Sequence, residues 1–317
     1  MSQKELKRKD LLQLNSLELI AKQVVEGFIT GMHKSPFHGF SVEFAEHRLY
    51  NPGDSTKNID WKLYAKTDRL YQKKYEEETN LRCQLVIDTS SSMFYPLDRN
   101  EDQFNKLEFS VYSAASIMLM MQKQRDAVGL TLFSNAIHEH TECKSTHGHI
   151  QRLMDLMQIK MDEAKKDNVQ LSNAVDVIHQ VAEQVHKRSL VIIFSDMFDG
   201  VKSADEFRFR SEELIAALQH LKHNKHEVVL FHVNDPSKEM YFEFEDRPYH
   251  FIDLESKAEV KVNPKEVREA YVEKMKAYYK ELQWKCGQMK IDLVKADITE
   301  GFDKVLLSYL LKRSKLH

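Results

Sequence analysis

The residues best suited to chemistry follow the short apolar run Leu85–Ile87. Asp88 ends this run, and hydroxyl side chains follow at Ser90 and Ser92, which gives the spacing Asp-x-Ser-x-Ser. Such a run predicts a buried strand, and open α/β sheets bind their ligands at the carboxyl ends of strands. Carboxylate and hydroxyl oxygens are hard donors of the kind that Mg²⁺ and Mn²⁺ prefer. The pattern predicts a divalent-cation site just beyond this strand.

A second apolar run, Leu190–Phe194, ends in the same way, with Ser195 and Asp196. If both runs are parallel strands, their carboxyl ends lie at the same edge of the sheet, and Asp88 and Asp196 converge there. Asp, Ser and Thr after a strand are also the ordinary residues of turns and helix N-caps, which is the alternative interpretation.

Together these residues resemble the metal-ion-dependent adhesion site of von Willebrand factor A domains. The resemblance implies that Asp88, Ser90 and Ser92 are ligands from the first loop and that Asp196 acts directly or through water. Such sites also take a threonine from a later loop. Here that position is Val169, which has no ligand atom, and Ser172 lies three residues further on.

Residues 43–77 carry a second pattern, upstream of the first strand. Its parts are Glu43-Phe44, Arg48-x-Tyr50, Pro52-Gly53-Asp54, Ile59-Asp60-Trp61, Ala65-Lys66-Thr67 and Glu76-Glu77. Placed before an Asp-x-Ser-x-Ser strand, this pattern resembles the bacterial domain-of-unknown-function family fifty-eight, over essentially the whole chain. The resemblance implies a protein partner, a MoxR-type AAA+ ATPase, and a role as an adaptor or co-chaperone.

The function expected from these residues is recognition of a protein and not catalysis. A cation held by the loops keeps a coordination position open for a carboxylate that a partner protein supplies. The alternative is a metal-dependent phosphohydrolase with Asp88 as nucleophile, but Ser90 stands where such enzymes need an aspartate as general acid. A nucleotide-binding site is not expected, because no glycine-rich phosphate loop follows any strand and the chain has only 9 glycines.

Composition narrows the remaining classes of protein. The 317 residues are 42% hydrophobic and 30% charged, which predicts a globular chain, and the net charge of −3 provides no basic field for nucleic acid. The most apolar stretch, Ala114–Met121, is too short for a membrane span, and the N-terminal segment is too polar for an export signal. The odd number of cysteines, 3, without a Cys-x-x-Cys pair, favours a reducing compartment. We therefore expect a cytoplasmic protein without a membrane span.

One further cluster of potential ligands lies in the middle of the chain. It consists of His138, His140, Cys143, His147 and His149. Two histidines on one face of a strand are suited to zinc, but none of these residues has the spacing of a zinc finger. Solvated histidines at a strand edge are the alternative.

The elements that position the site alternate between strands and helices, which indicates an α/β fold. We predict a von Willebrand A-like, Rossmann-type, mostly parallel sheet with helices on both faces. An antiparallel edge strand is expected near 136–142, and a hairpin is expected to be inserted near 240–252. Residues 1–79 are predicted to form an N-terminal helix and a small irregular or β subdomain, and residues 80–317 the A-like domain.

Overall fold

The computed structural model of the protein describes residues 16–29, 47–50, 59, 61–73, 81–97, 99–100, 102–163, 172–197 and 204–314. The chain divides into two compact units, one formed by residues 37–81 and the other by residues 1–36 together with 82–317. The predicted division placed the first helix, α1 (Leu17–Ile29), with the signature region. The structure groups α1 with the sheet instead, because its apolar face packs on a helix of that unit.

The described residues of the smaller unit form two short strands and one short helix. Strand β1 (His47–Leu49) pairs antiparallel with β2 (Tyr71–Lys73), and helix α2 (Trp61–Thr67) lies between them in the chain. The Pro-Gly-Asp turn and the acidic pair of the signature lie outside the described residues.

The larger unit is built on one six-stranded sheet. Its strands are β3 (Arg82–Asp88), β4 (Ala127–Phe133), β5 (Ile137–His140), β6 (Leu190–Ser195), β7 (Glu227–Asn234) and β10 (Asp292–Asp297). Two further strands, β8 (Tyr249–Ile252) and β9 (Glu259–Val262), form a separate hairpin. The order in the sheet is β10-β7-β6-β3-β4-β5, and only β5 is antiparallel to its neighbour. When the six strands of the sheet are renumbered 1 to 6 along the chain, the order read from the β5 edge is 3-2-1-4-5-6, which is that of doubly wound folds. The predicted α/β architecture and its antiparallel edge strand are confirmed.

Helices cover both faces of this sheet. They are α3 (Lys106–Lys123), α4 (His147–Glu163), α5 (Ala174–Gln184), α6 (Ala204–His223), α7 (Pro264–Gln288) and α8 (Phe302–Ser314). Helix α3 packs on β3 and β4 and against α1, α4 and α8, so it is buried on nearly every side. Helices α5, α6 and α7 pack on the other face, in a core that includes Val86, Ile193 and Leu230. The central strands are continuous apolar runs because helices cover both of their faces.

The insertion between β7 and α7 differs from the prediction. The hairpin consists of β8 and β9 and spans Tyr249–Val262, whereas the alternating segment 241–248 has no strand. Phe242 has a φ of 50°, which a strand does not accommodate, and its ring packs at a tilt against that of Tyr271 with the centroids 4.6 Å apart. The alternation of aromatic and acidic residues there reflects packing of the rings, not strand pairing.

None of the described helices has an apolar stretch long enough to span a bilayer.

Candidate functional site

The predicted site forms around Asp88, the last residue of β3, which is fully buried. Its Oδ1 accepts a hydrogen bond from the backbone N–H of Ser90 at 2.9 Å. Its Oδ2 accepts one from the hydroxyl of Ser195 at 2.8 Å and a longer one from the hydroxyl of Ser172 at 3.4 Å. Donors from three separate parts of the chain therefore converge on one carboxyl group.

The two serines of the Asp-x-Ser-x-Ser pattern lie side by side. The hydroxyl oxygens of Ser90 and Ser92 are 3.1 Å apart, and a short 3₁₀ turn over Ser91–Phe94 follows Asp88 directly. Thr89 does not share this role, because its hydroxyl and its backbone N–H both donate to the carbonyl of Phe133 in β4. The side chains of Asp88, Ser90 and Ser92 thus face the site, while Thr89 fixes the loop to the neighbouring strand β4.

Asp196 follows β6, the strand next to β3, and the two acids flank the point where the strand order reverses. Beyond this point the chain goes from β3 to α3 on one face and from β6 to α6 on the other. Doubly wound folds form their ligand crevice at such strand ends, so we call this region the crevice. Burial raises the pKa of Asp88, and the nearby negative charge of Asp196 raises it further. All four predicted ligands, Asp88, Ser90, Ser92 and Asp196, are brought to this crevice.

Sequence analysis missed Lys106, the first residue of α3. Its Nζ lies 2.7 Å from Asp196 Oδ2 and 2.7 Å from Glu239 Oε1, and its side chain is 1% exposed. The other oxygen of Glu239 accepts the backbone N–H of Asp235 at 2.7 Å, in the π-helical turn after β7. One signal was present in the sequence, because a lysine in the first turn of a helix is disfavoured by the helix dipole.

Sequence analysis also missed Glu255, which reaches the site from the turn between β8 and β9. It is 4% exposed, and its Oε2 accepts the backbone N–H of Ser172 at 3.0 Å. Its carboxyl group also lies near the side chain of Ser92. Nothing in the local sequence distinguishes this glutamate from the other acidic residues of the insertion.

The threonine position of adhesion-type sites was assigned to Val169, with Ser172 three residues further on. Val169 lies outside the described residues. Ser172 lies against Asp88, and the next residue, Asn173, caps α5 by accepting the N–H of Asp176. Ser172 is therefore free of the capping role and supplies a hydroxyl at the site.

The charges at the site bear on whether a cation fits there. Among the described residues the site contains four carboxyl groups, those of Asp88, Asp196, Glu239 and Glu255, and one ammonium group. Burial lowers the pKa of the adjacent His232 to about 4, so this ring adds no positive charge. Burial also raises the pKa of Glu255 to about 7. A surplus of buried carboxyl groups is the setting in which a bound cation lowers the free energy of the folded protein.

The donor set decides what such a cation would contact. No three His, Cys, Asp or Glu side chains in the described ranges are grouped closely enough to hold a metal by themselves. A cation here would use serine hydroxyls beside the carboxylates, as the adhesion-type resemblance implies. Mg²⁺ suits such a set because it retains several of its waters. Asp88, Ser90 and Ser92 fit this role, and Asp196 already has an ionic contact with Lys106.

The five residues considered for zinc make separate contacts. Ring nitrogens of His138, His140 and His149 bond to Ser134, Thr131 and the carbonyl of Val128, respectively. The thiol of Cys143 donates to the carbonyl of Cys83 and to the side chain of Gln84, and His147 contacts Gln122.

Comparison with known families decides the classification. Residues 46–281 match the family described as "Protein of unknown function DUF58". The chain belongs to this family. Uncharacterised proteins of Mycobacterium bovis and Mycobacterium tuberculosis are 25% identical to this DUF58 chain over 223 residues, which is 70% of its length. The chain spans 64% of the length of these relatives.

Two solved structures resemble the DUF58 chain distantly. One is an aerotolerance-related membrane protein from Bacteroides fragilis, with 14% identity and a TM-score of 0.39, covering 73% of this chain and 99% of that one. The other is the conserved hypothetical protein BatB from Bacteroides thetaiotaomicron, also with 14% identity and a TM-score of 0.39, covering 74% of this chain and 99% of that one.

Proposed function

We propose that this protein is a non-catalytic protein-interaction module with an adhesion-type site for Mg²⁺ or Mn²⁺. The observation that carries the proposal is the buried carboxyl group of Asp88, which lies at the switch point of the sheet. It accepts hydrogen bonds from the backbone N–H of Ser90 and from the hydroxyl groups of Ser172 and Ser195. In the proposed site Asp88, Ser90 and Ser92 contact the ion. Asp196, held by Lys106, contributes through a water molecule.

When bound, the ion supplies a positive charge with coordination positions open to an external carboxylate. The chain's own residues orient that position: Ser195 and Ser172 fix the carboxyl group of Asp88 by donating to its Oδ2. The partner is a protein that presents an aspartate or glutamate. Binding of this kind needs no proton transfer and no nucleophile.

The alternative, a phosphohydrolase with Asp88 as nucleophile, has less support. The second residue after Asp88 is Ser90, which cannot act as the general acid that this chemistry requires. Hydrolysis of p-nitrophenyl phosphate by the wild-type protein, lost in an Asp88→Asn variant, would favour the enzyme.

The family resemblance suggests the class of partner. We propose a MoxR-type AAA+ ATPase, with this protein acting as its adaptor or co-chaperone in the cytoplasm. The three cysteines are all free, which is in keeping with a reducing compartment. Cation-dependent binding of a purified MoxR-type ATPase from the same organism, abolished by EDTA, is the test of this part.

Calorimetric titration of Mg²⁺ and Mn²⁺ tests the site itself. We expect wild-type protein to bind either ion, and an Asp88→Ala variant with an unchanged circular dichroism spectrum to lose the binding. An Asp246→Ala variant is the matched control, because Asp246 is an exposed acid in the insertion that contacts Lys265. Equal binding by all three proteins, or none up to millimolar ion, would refute an ion site at Asp88.

A further inference from the structure

The insertion that carries β8 and β9 reverses the usual distribution of buried residues. From Tyr241 to Val262 the one buried residue is Glu255, while apolar residues such as Ile252 and Val260 are 50% and 58% exposed. Glutamate is among the residues least often buried without a partner. A hairpin that turns a carboxyl group inward and leaves apolar side chains outside needs an explanation in terms of what that group contacts.

The turn holds Glu255 in this inward position. Asp253 accepts hydrogen bonds from the backbone N–H groups of Glu255 at 3.2 Å and Ser256 at 3.1 Å, and its own N–H donates to the carbonyl of Ala258 at 2.9 Å. The neighbouring residues Ser256 and Lys257 are exposed. The side chain of Glu255 therefore leaves a rigid turn and enters the crevice alone.

Inside the crevice the two carboxyl oxygens of Glu255 are in different situations. Oε2 accepts the N–H of Ser172 at 3.0 Å. Oε1 is buried and accepts no hydrogen bond from any residue that the structure describes. Leaving a buried oxygen without a hydrogen-bond partner destabilises the folded protein. The side chain lies near those of Ser92 and Asp196.

We infer that Glu255 is an internal ligand of the site and takes the coordination position that a partner's carboxylate needs. This inference rests on the proposed function, because it assumes the ion held by Asp88, Ser90 and Ser92. The unmatched Oε1 then faces the cation, and the carboxyl group lies beside Ser92, a ligand of that cation. The hairpin is a plug that closes the site from within, and a partner protein binds only when its carboxylate displaces Glu255.

Mn²⁺ titration of three proteins tests the contact with the ion. We expect Glu255→Ala to weaken Mn²⁺ binding about tenfold, because affinity depends on the charge of the ligand set. Glu259→Ala is the matched control, since Glu259 is an exposed glutamate on β9 that contacts His250, and it should bind as the wild type does. Propionate, which mimics the glutamate side chain, should restore most of the affinity of Glu255→Ala and leave the other two proteins unchanged.

Hydrogen exchange of residues 249–262 tests the plug without relying on affinity. In the wild type, Mg²⁺ should slow the exchange of these amides severalfold. In Glu255→Gln, Mg²⁺ should leave the exchange rates unchanged. If wild-type protein binds the ion but Glu255→Ala binds it equally well without propionate, the inference is wrong and the proposed ion site survives. If wild-type protein binds no ion, both are wrong.

Discussion

The ammonium group of Lys106 lies 2.7 Å from the carboxylate of Asp196, although 90 positions of sequence separate the two residues. Both side chains are 1% exposed, and the same ammonium group also contacts Glu239. The charge of Asp196 raises the pKa of Lys106, which opposes the effect of burial. This buried pair joins the start of α3 to the end of β6 and fixes one wall of the crevice.

Replacing Lys106 by methionine should therefore destabilise the fold strongly. The change preserves much of the side-chain volume but leaves Asp196 and Glu239 without their cation. Breaking a buried ion pair by removing one partner costs about 3–5 kcal/mol. Urea unfolding at neutral pH with EDTA measures this loss, and Mg²⁺ should restore more stability to the variant than it adds to the wild type.

Lys123→Met, at the other end of α3, is the control for this substitution. Lys123 is exposed in the last turn, so its loss should change stability by less than about 0.5 kcal/mol. Equal stability of Lys106→Met and Lys123→Met would contradict the structural role given to the buried pair.

The sequence was a good guide to the sheet and to the residues at its strand ends. The apolar runs before Asp88 and Asp196 became β3 and β6, because central parallel strands need apolar side chains on both faces. Asn263 caps α7 and Pro264 is its first residue, an arrangement typical of helix starts.

The parts of the site that escaped prediction come from distant elements. Lys106 meets Asp196 through the packing of α3, and Glu255 meets Ser172 across 83 positions. Neither contact leaves a periodicity or a spacing in the sequence. The hairpin was placed too early because alternating aromatic residues resemble a strand whether the rings pair across strands or pack on a helix.

Ser172 should support ion binding in place of the expected threonine. Its hydroxyl donates to Asp88 at 3.4 Å, so Ser172→Ala removes one of the groups that orient this carboxylate. We expect Mg²⁺ affinity to fall about tenfold, as it does when partners of metal ligands are removed. Calorimetry measures the change, with Ser116→Ala as control, because Ser116 is a buried serine of α3 whose hydroxyl donates to Tyr112. Unchanged affinity in Ser172→Ala would exclude this role.

His226 should make the protein less stable in mild acid. Burial lowers the pKa of this ring, and its Nδ1 accepts the N–H of Ser189 at 3.3 Å, so it is neutral in the folded protein. An unfolded histidine has a pKa of about 6.5. Below that pH the unfolded chain binds more protons than the folded one at this position, so stability falls as the pH drops. The stability contributed by the neutral ring is therefore present above about pH 6.5.

Urea unfolding between pH 7.5 and pH 5 measures this dependence. His226→Asn retains an acceptor for Ser189 without a titratable ring, so its stability should fall less steeply than that of the wild type. His223→Asn, at an exposed histidine of α6, should follow the wild type. Identical slopes for wild type and His226→Asn would show that another group governs the acid sensitivity.

Gly129 should be irreplaceable in β4, next to the strand that carries Asp88. A Cβ at this position would overlap the side-chain oxygen of Gln84 and lie 2.6 Å from the carbonyl oxygen of Thr141. Gln84 is buried and donates to Thr131 at 2.9 Å, so it has little room to move. We expect Gly129→Ala to lose about 1–3 kcal/mol of unfolding free energy, the usual cost of overpacking a core. Gly287→Ala in α7 meets open space and should be neutral or up to about 1 kcal/mol stabilising. Equal unfolding free energies for the two variants would mean that Gln84 repacks and that β4 tolerates a side chain here.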